Sequence, residues 1–454
     1  MFRELRQDAL VDFFKDELTT MPFINGADRP IVERDLGVLI DSGAKRFHKT
    51  QAAKRLWKHL AERALSDVTS NLRGFGRLSR YFDEYVDYED LLFAVDRKHR
   101  DHVIHSIWVM LLGFYLMRNF AVFRDISYGD LVVQVSPNEA SRRNVRKTVA
   151  AMKKHEKSLW CLIALTHDLG YPIQKTMDAN KVMEKMVSNF GVLTQRQFDY
   201  SFTILQQTAI DELLNTVSSV IFWGSSARPT IEYEVGRRLD CAKSLEQLDH
   251  GIMSAYLLQS HLDFICETKS IVTLFSLPGF RPISSNAAAE LVAEYGTLIA
   301  LLASVSFHTT KHAYTTSLNR FGPLLVICDE LDEFSRYARS SEDQEWVEVG
   351  CRTELECSRH SMQIRHTFDN RKAGEVMEPF FKGKVGRLDD FFELSPDGIR
   401  KVSVTCNDVR KSPNVKLEWE KTASTAATGV ARRTPGRSTD NVEGYLGGTV
   451  DLSL

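Results

Sequence analysis

Apolar residues recur at helical spacing over most of the chain. In residues 51–66 and 81–94 they lie three and four positions apart, which is typical of amphipathic helices. Between residues 96 and 340 the apolar runs become denser. The most apolar of them are 107–117, 159–166, 252–258, 298–307 and 324–328. Runs of this kind predict helices that are buried in a core.

The hydrophobic period changes to two near the C-terminal end. From residue 347 to 358 apolar and polar residues alternate, and the alternation resumes at 362–368 after a break that suggests a hairpin. A helix-like segment follows at 375–382, and two further alternating runs lie at 402–406 and 415–419. Strict alternation buries one face of a sheet, so this part predicts a small antiparallel sheet covered by a helix or by the rest of the protein.

These patterns predict a mainly α protein with four regions. A helical N-terminal region (1–95) precedes an all-helical bundle (96–340), which carries an insert of mixed pattern near 173–245. A small α+β domain occupies 341–420. The tail, 421–454, is mostly Ala, Thr, Ser and Gly and is expected to be disordered.

Charge and composition limit the kinds of partner that the surface can bind. The chain has 454 residues, with 58 Lys and Arg against 60 Asp and Glu, so its net charge of −2 argues against a surface built as a whole for polyanions. A basic run at 141–157 carries seven Lys and Arg and one Glu, which is more often a solvated helix face than a binding patch.

No segment suggests a membrane or a secreted protein. The longest apolar run, 107–117, is far shorter than the ~20 residues of a membrane span, and charges interrupt the N-terminal segment, so it does not read as a signal peptide. Seven cysteines without a CxxC pair fit reduced thiols. We therefore expect a cytoplasmic protein.

Ligand-type side chains lie at the ends of three apolar runs. His105 precedes the run 107–117, the pair His167 and Asp168 follows 159–166, and Asp329 follows 324–328. A buried imidazole or carboxylate is costly unless it is paired or ligated, so we expect these residues to share one divalent cation. Consecutive side chains on a helix point about 100° apart, which would let Asp168 lie between two metal positions.

The ordered set His105, His167, Asp168 and Asp329 resembles the signature of the HD-domain superfamily of metal-dependent phosphohydrolases, over about residues 96–340. The resemblance implies a first metal held by these four residues. His250 lies in a DHGIMSA segment similar to one of HD nucleases and phosphodiesterases, and His308 follows another apolar run. In such members a second metal would be held by His250, His308 and a bridging Asp168, and these three are the expected catalytic residues.

The chain departs from two named subfamilies. Gly170-Tyr-Pro172 follows the dyad directly, whereas HD-GYP enzymes carry their GYP far downstream. The GHxPFxH stretch of dNTP triphosphohydrolases is replaced by LGYPIQKT. The subfamily therefore stays open.

Other residues compete for these roles. His99 and His102 are rivals of His105, but only His105 directly abuts the apolar run, so we expect the other two on a solvated face. The competing interpretation of Asp329 is an acidic helix surface. That surface would comprise Asp329, Glu330, Asp332 and Glu333. His312, four residues after His308, is as well explained by a surface position as by a ligand role.

The resemblance implies metal-assisted hydrolysis of a phosphate ester in a nucleotide or cyclic nucleotide, with one or two ions of Mn, Fe, Co, Ni, Mg or Zn activating water. An HD nuclease acting on single-stranded nucleic acid is the first alternative, favoured by the DHGIMSA segment and the basic run. The second is a catalytically idle scaffold whose α+β domain binds a regulator. Assembly into a homo-oligomer is left open.

Overall fold

Helices form most of the computed structural model and most of its core. The structure describes residues 2–95, 100–136, 138–190, 202–224, 229–265, 267–268, 285–309, 317–334, 352–368, 373–395, 397–409, 415–422 and 432–435. The prediction of a mainly α protein with an α+β part toward the C-terminal end is confirmed.

The N-terminal region contains four helices. They are α1 (Gln7–Glu17), α2 (Arg29–Ile40), α3 (Arg46–Val68) and α4 (Phe75–Val95). Helix α3 packs against the central helices of the bundle and buries Trp57, whose indole ring stacks on Phe82 of α4 at a centroid distance of 3.8 Å. This region is therefore part of the same hydrophobic core as the bundle that follows.

The bundle begins after residue 100. Its described helices are α5 (His102–Asn119), α6 (Ala121–Arg124), α7 (Glu139–Lys153), α8 (Glu156–Thr166), α9 (Tyr171–Val187), α10 (Ile204–Val217), α11 (Val235–Glu246), α12 (His250–His261), α13 (Ser285–Phe307) and α14 (Phe321–Leu331). Helix α5 is apolar on all sides and almost completely buried, and it packs against α3, α8 and α14. Its N-cap is Asp101, whose carboxylate accepts a 3.1 Å hydrogen bond from the Ile104 amide.

A small sheet interrupts the predicted all-helical bundle. Strands β2 (Val132–Gln134), β3 (Ser219–Trp223) and β4 (Pro229–Tyr233) lie in the order β2-β3-β4, with β2 and β3 parallel. The sequence of β3, SVIFW, is rich in β-branched and aromatic residues, and all but one of its side chains are buried. Short apolar runs of this kind occur in both buried strands and buried helices. The hydrophobic pattern alone therefore does not identify β3 as a strand.

The C-terminal sheet has six strands in the order β1-β5-β6-β7-β8-β9. They are β1 (Arg3–Leu5), β5 (Arg352–Cys357), β6 (Ser361–Phe368), β7 (Lys401–Asp408), β8 (Val415–Thr422) and β9 (Arg432–Pro435). Most neighbouring pairs are antiparallel as predicted, and β5 and β6 form the predicted hairpin. The pair β6–β7 is parallel because helix α15 (Ala373–Phe391) crosses over between the two strands.

Two strands of this sheet differ from the expectations. Residues 3–5 lie in the region expected to be helical, yet they pair with β5. Strand β9 lies inside the tail expected to be disordered and pairs with β8, while residues 423–431 and 436–454 lie outside the described part. Three or four residues are too few to display a period, so neither strand is visible as a pattern.

One face of this sheet is buried, as its alternating sequence requires. Every second residue of β6 and β7 is buried, and helix α15 packs against β7 and β8. Cys406 is buried on β7 and Cys357 is partly buried at the end of β5, whereas Cys351 falls outside the described residues. The described cysteines are all free thiols.

One helical segment of the described residues, Ala289–Phe307, has the length and hydropathy of a membrane span. In the structure 78% of that window is buried inside the protein. Most of this window therefore lies in the protein core, and its hydropathy is weak evidence for a membrane span.

Candidate metal centre

The structure brings the six predicted site residues together from the ends of five helices. His105 lies in the first turn of α5, and Asp329 lies in the last turn of α14. His167 and Asp168 directly follow α8, His250 begins α12, and His308 follows α13. Helix ends leave backbone groups unpaired and side chains free to turn, so they are suitable places from which to direct ligands at a shared point.

Gly170 allows the turn that carries His167 and Asp168 to touch helix α12. A Cβ atom at this position would lie 2.6 Å from the Met253 Cβ and 2.7 Å from the Ser254 amide nitrogen. The Ser254 hydroxyl joins the two segments, because it accepts from the Gly170 amide at 2.7 Å and donates to the His167 carbonyl oxygen at 2.6 Å. The glycine of the THDLG sequence is thus a close-approach residue.

Gly251 likewise allows helix α12 to approach the end of α13 closely. A Cβ atom here would lie 2.6 Å from the Thr309 hydroxyl and 2.8 Å from the Val305 carbonyl oxygen. The Gly251 amide donates to the Thr309 hydroxyl at 3.2 Å. This contact places His250 beside His308, with ring centroids 5.0 Å apart.

The first group of donor atoms comprises His105, His167 and Asp329. The His105 Nε2 atom lies 3.1 Å from Asp329 Oδ1 and 3.3 Å from the His167 Nε2. Their three ligand atoms all lie within 4.8 Å of one another. Asp168 approaches this group through Oδ2, which is 3.3 Å from the His167 Nε2 and 3.6 Å from the His105 Nε2.

The second group faces the other oxygen of Asp168. Its Oδ1 atom lies 3.2 Å from the His250 Nε2 and 3.6 Å from the His308 Nε2. His167, Asp168 and His308 form a further set of donors within 4.8 Å of one another. One carboxylate therefore presents one oxygen to each of two groups of imidazoles.

Each of the four histidines is held through its Nδ1 atom, and Nε2 faces the centre. His167 and His308 donate from Nδ1 to the carbonyl oxygens of Ala164 at 2.8 Å and Val305 at 2.6 Å. A histidine that donates from Nδ1 carries its free lone pair on Nε2 when it is neutral. The other two Nδ1 contacts are His105 to Asp332 Oδ2 at 2.5 Å and His250 to Gln174 Oε1 at 2.6 Å. Partners of this kind fix the orientation of metal-ligating histidines.

The distances between the donor atoms, and the lack of a hydrogen-bond partner for one of them, fit a bound metal ion. Two donors about 2.1 Å from one ion, at tetrahedral or octahedral angles, lie about 3.0–3.4 Å apart. The Nε2 of His308 is completely buried and has no hydrogen-bond partner among the residues that the structure describes. A metal ion would satisfy this atom. Imidazole and carboxylate together suit several first-row divalent cations, so the set does not select one.

The electrostatics favour the ligating protonation states of two central residues. Burial raises the pKa of Asp168, but His167, His250 and His308 outweigh it and hold this pKa well below its usual range. Burial lowers the pKa of His308 to about 4, against the opposing effect of Asp168. Asp168 is therefore an anion and His308 a neutral base at neutral pH.

Two site residues went unrecognised in the sequence. The sequence suggests Asp332 only as part of an acidic helix surface, but α14 ends at Leu331 and the completely buried Asp332 turns inward to His105. Arg100 donates to the carbonyl oxygens of Asp329 and Asp332, each at 2.9 Å, and its guanidinium lies 3.3 Å from Asp329 Oδ1. The spacing of Asp332, three residues after Asp329, was the available signal.

His102 is buried, which corrects the expectation of a solvated face. Its Nδ1 lies 3.2 Å from a Glu89 carboxylate oxygen, and its ring lies 3.7 Å from the ring of Tyr171. Burial lowers the pKa of His102, against the opposing effect of Glu89. Its rival His99 lies outside the described residues.

The basic run forms most of helix α7 and the start of α8. Arg142, Arg143 and Arg146 are exposed, whereas Lys153 pairs with Asp125. Lys157 lies 3.1 Å from Glu17, so part of the run is neutralised by acidic neighbours. His312 lies outside the described residues, and its suggested ligand role has no structural description.

No model of a known protein family, no curated protein and no solved structure matches this chain. What the structure establishes is a helical protein with a buried cluster of histidines and aspartates that could hold a metal ion. This arrangement is compatible with an HD-type site.

Proposed function

We propose that this protein is a metal-dependent phosphohydrolase of the HD type that hydrolyses a phosphate ester of a nucleotide or cyclic nucleotide. The observation that carries the proposal is the position of Asp168, whose two oxygens face separate groups of Nε2 atoms at 3.2–3.6 Å. A carboxylate shared in this way is the expected bridge of a two-metal hydrolytic site.

Two overlapping sets of residues would hold the ions. The first set is His105, His167, Asp168 and Asp329, and the second is His250, His308 and Asp168. Divalent cations at these positions supply Lewis-acid stabilisation of the charge that develops on phosphoryl oxygens and make water a stronger nucleophile near neutral pH.

Exposure indicates where a substrate would approach. His105, His167 and His308 are buried, whereas the side chains of His250 and Asp329 are each 20% exposed. Solvent therefore reaches the centre at these two side chains. Gln174 contacts the His250 ring at Nδ1, which leaves Nε2 directed toward Asp168.

The test begins with protein stripped of metal by a chelator and reloaded separately with Mn, Fe, Co, Ni, Mg or Zn. Hydrolysis is measured on nucleotides, cyclic nucleotides and labelled single-stranded DNA. We expect Asp168→Ala to lower hydrolysis by about 10²-fold or more and to reduce bound metal, because this carboxylate would contact both ions. The apo fold should survive, since the apolar helices carry its stability.

Asp12→Ala is the matched control, because this helical aspartate has a 74% exposed side chain. Hydrolysis by Asp168→Ala at the wild-type rate would refute the hydrolase proposal. If the wild-type protein binds metal but hydrolyses none of the substrates, the scaffold alternative is favoured instead.

A nuclease acting on single-stranded nucleic acid is the second candidate. The observation that favours it is the exposed basic surface formed by Arg142, Arg143 and Arg146 on α7. If DNA is the substrate, replacing all three with Gln should weaken DNA binding and reduce its dependence on salt concentration. Hydrolysis of mononucleotides should then be unchanged. We further propose a cytoplasmic location, in keeping with the free thiols of the described cysteines.

A further inference from the structure

Two positively charged side chains from different parts of the chain cap the C-terminal end of α14. The last carbonyl groups of a helix lack partners within the helix and need partners from elsewhere. Arg100 donates to the carbonyl oxygen of Asp329, and Lys384 of helix α15 donates to the carbonyl oxygen of Glu330. Cations at this end also interact favourably with the helix dipole. The turn that carries Asp329 is therefore held from both sides.

Lys384 occupies a position where the pattern of α15 requires an apolar residue. The buried face of this helix contains Met377, Phe381 and Leu388, at the spacing of successive turns, and Lys384 lies on the same face with 7% exposure. Burying an ammonium group is costly unless it is paired. A lysine at this position therefore indicates a specific electrostatic partner.

Lys384 contacts two acidic side chains in the segment that follows Asp329. Its Nζ is 3.2 Å from a Glu330 carboxylate oxygen and 2.9 Å from a Glu333 carboxylate oxygen. The side chains of these three residues are only 9–17% exposed, so solvent weakens the attraction less than at an open surface. The α+β domain is thereby joined to the segment beside the metal centre.

The acidic side chains of residues 329–333 point in two directions. Asp329 and Asp332 face His105 and Arg100, whereas Glu330 and Glu333 face Lys384. Because the four residues share one short piece of backbone, fixing the glutamates also fixes the backbone from which the two aspartates project. Asp332 in turn orients His105 through its 2.5 Å contact.

We propose that Lys384 is a positioning residue of the metal centre, through which the C-terminal α+β domain holds Asp329 and Asp332 in the geometry that binds metal. The inference rests on the proposed function, because it assigns Asp329 to a metal site. It makes the α+β domain a structural part of that site.

The experiment measures metal affinity of the full-length protein by competition with a chromophoric chelator, together with the visible absorption spectrum of bound Co²⁺. We expect Lys384→Met, which keeps a linear side chain without its charge, to raise the metal Kd by roughly 10–100-fold and to change the Co²⁺ spectrum. Lys384→Arg should restore most of the affinity. Lys382→Met on the same helix is the control, since this lysine is 63% exposed and pairs with Glu378.

The outcomes separate this inference from the proposed function. Unchanged affinity and an unchanged Co²⁺ spectrum in a folded Lys384→Met protein would overturn the inference and leave the metal site intact. Failure of the wild-type protein to bind any of the ions would overturn both. If Lys384→Met does not fold, Glu333→Gln replaces it, because this carboxylate pairs with Lys384 and belongs to neither proposed ligand set. We expect it to weaken metal binding several-fold, and wild-type affinity would refute the inference.

Discussion

Gly170→Ala should damage the metal centre without changing any ligand. The added methyl group would lie 2.6 Å from the Met253 Cβ and 2.7 Å from the Ser254 amide nitrogen, and still nearer the His250 carbonyl oxygen. Two of these three neighbours are backbone atoms, which cannot rotate away. The turn that carries Asp168 must therefore move away from α12.

The size of this movement follows from ordinary packing distances. Van der Waals contact of a Cβ atom begins near 3.4 Å and the His250 carbonyl oxygen would lie at 2.4 Å, so the turn has to retreat by about 1.0 Å. Overpacking of this kind costs typically about 1–3 kcal/mol of stability. The same displacement separates Asp168 from His250, whose facing atoms are 3.2 Å apart. A misplacement of about 1 Å can lower a catalytic rate by about 10²-fold.

The assay compares chemical denaturation of the apo protein with metal binding and hydrolysis by the loaded protein. We expect lower stability, weaker metal binding and a loss of hydrolysis that exceeds the unfolded fraction. Gly37→Ala in α2 is the control, because its Cβ would meet no atom within 4 Å and should stabilise the helix by about 0.5–1 kcal/mol. Wild-type stability and metal affinity in Gly170→Ala would refute the packing argument.

Three further predictions concern individual side chains. His250→Ala should remove part of the bound metal and most of the hydrolysis while the first ion is retained, as measured by metal analysis beside turnover. Asp332→Asn should raise the metal Kd by roughly 10–100-fold, because the amide lacks the charge that holds His105, as measured by chelator competition. His366 is buried, and burial together with the nearby Lys384 lowers its pKa from 6.5 to about 3. Below pH 6.5 the unfolded chain takes up a proton that the folded protein excludes, so stability is lost as the pH falls and the loss at pH 5 is about 2 kcal/mol. Relative to His366→Gln, the wild-type protein should lose that amount between pH 7 and 5 in urea unfolding.

Each of these has an outcome that contradicts it. Equal loss of both ions in His250→Ala would remove the distinction between the two groups. Wild-type metal affinity in Asp332→Asn would show that the contact with His105 does not influence the site. Parallel pH dependence of His366→Gln and the wild-type protein would mean that His366 is protonated in the folded state as readily as in the unfolded chain.

The residues that could be located from the sequence share one property. His105, the dyad and Asp329 each adjoin a long apolar run, so the cost of burying a polar group indicates them without knowledge of the fold. Which groups face each other depends on how the apolar runs pack in the folded protein. The sequence alone does not specify this packing. The opposed oxygens of Asp168 are visible only in the structure.

The site residues that the sequence does not indicate are positioned by partners far along the chain. Arg100 contacts Asp329 across 229 positions, and Lys384 contacts Glu330 across 54. Arg100 does not differ from a surface residue in its local sequence, and the apolar spacing around Lys384 does not show which group it pairs with. Burial of His102 likewise depends on Glu89 and on Tyr171, which belong to two other helices. Pairings of this kind arise from packing and leave no local period.

The pairing of β1 with β5 determines when the fold can be completed. Arg3, Glu4 and Leu5 pair with Leu355, Glu354 and Thr353, so two segments about 350 positions apart share one ladder. A chain emerging from the ribosome must hold its first strand unpaired until β5 has been made, while helices of the bundle can already form from local contacts. Once β5 has formed and until β1 pairs with it, this edge of β5 is exposed to other strands. Closure of this ladder is therefore a late step of folding, and a change in residues 3–5 acts on the C-terminal sheet.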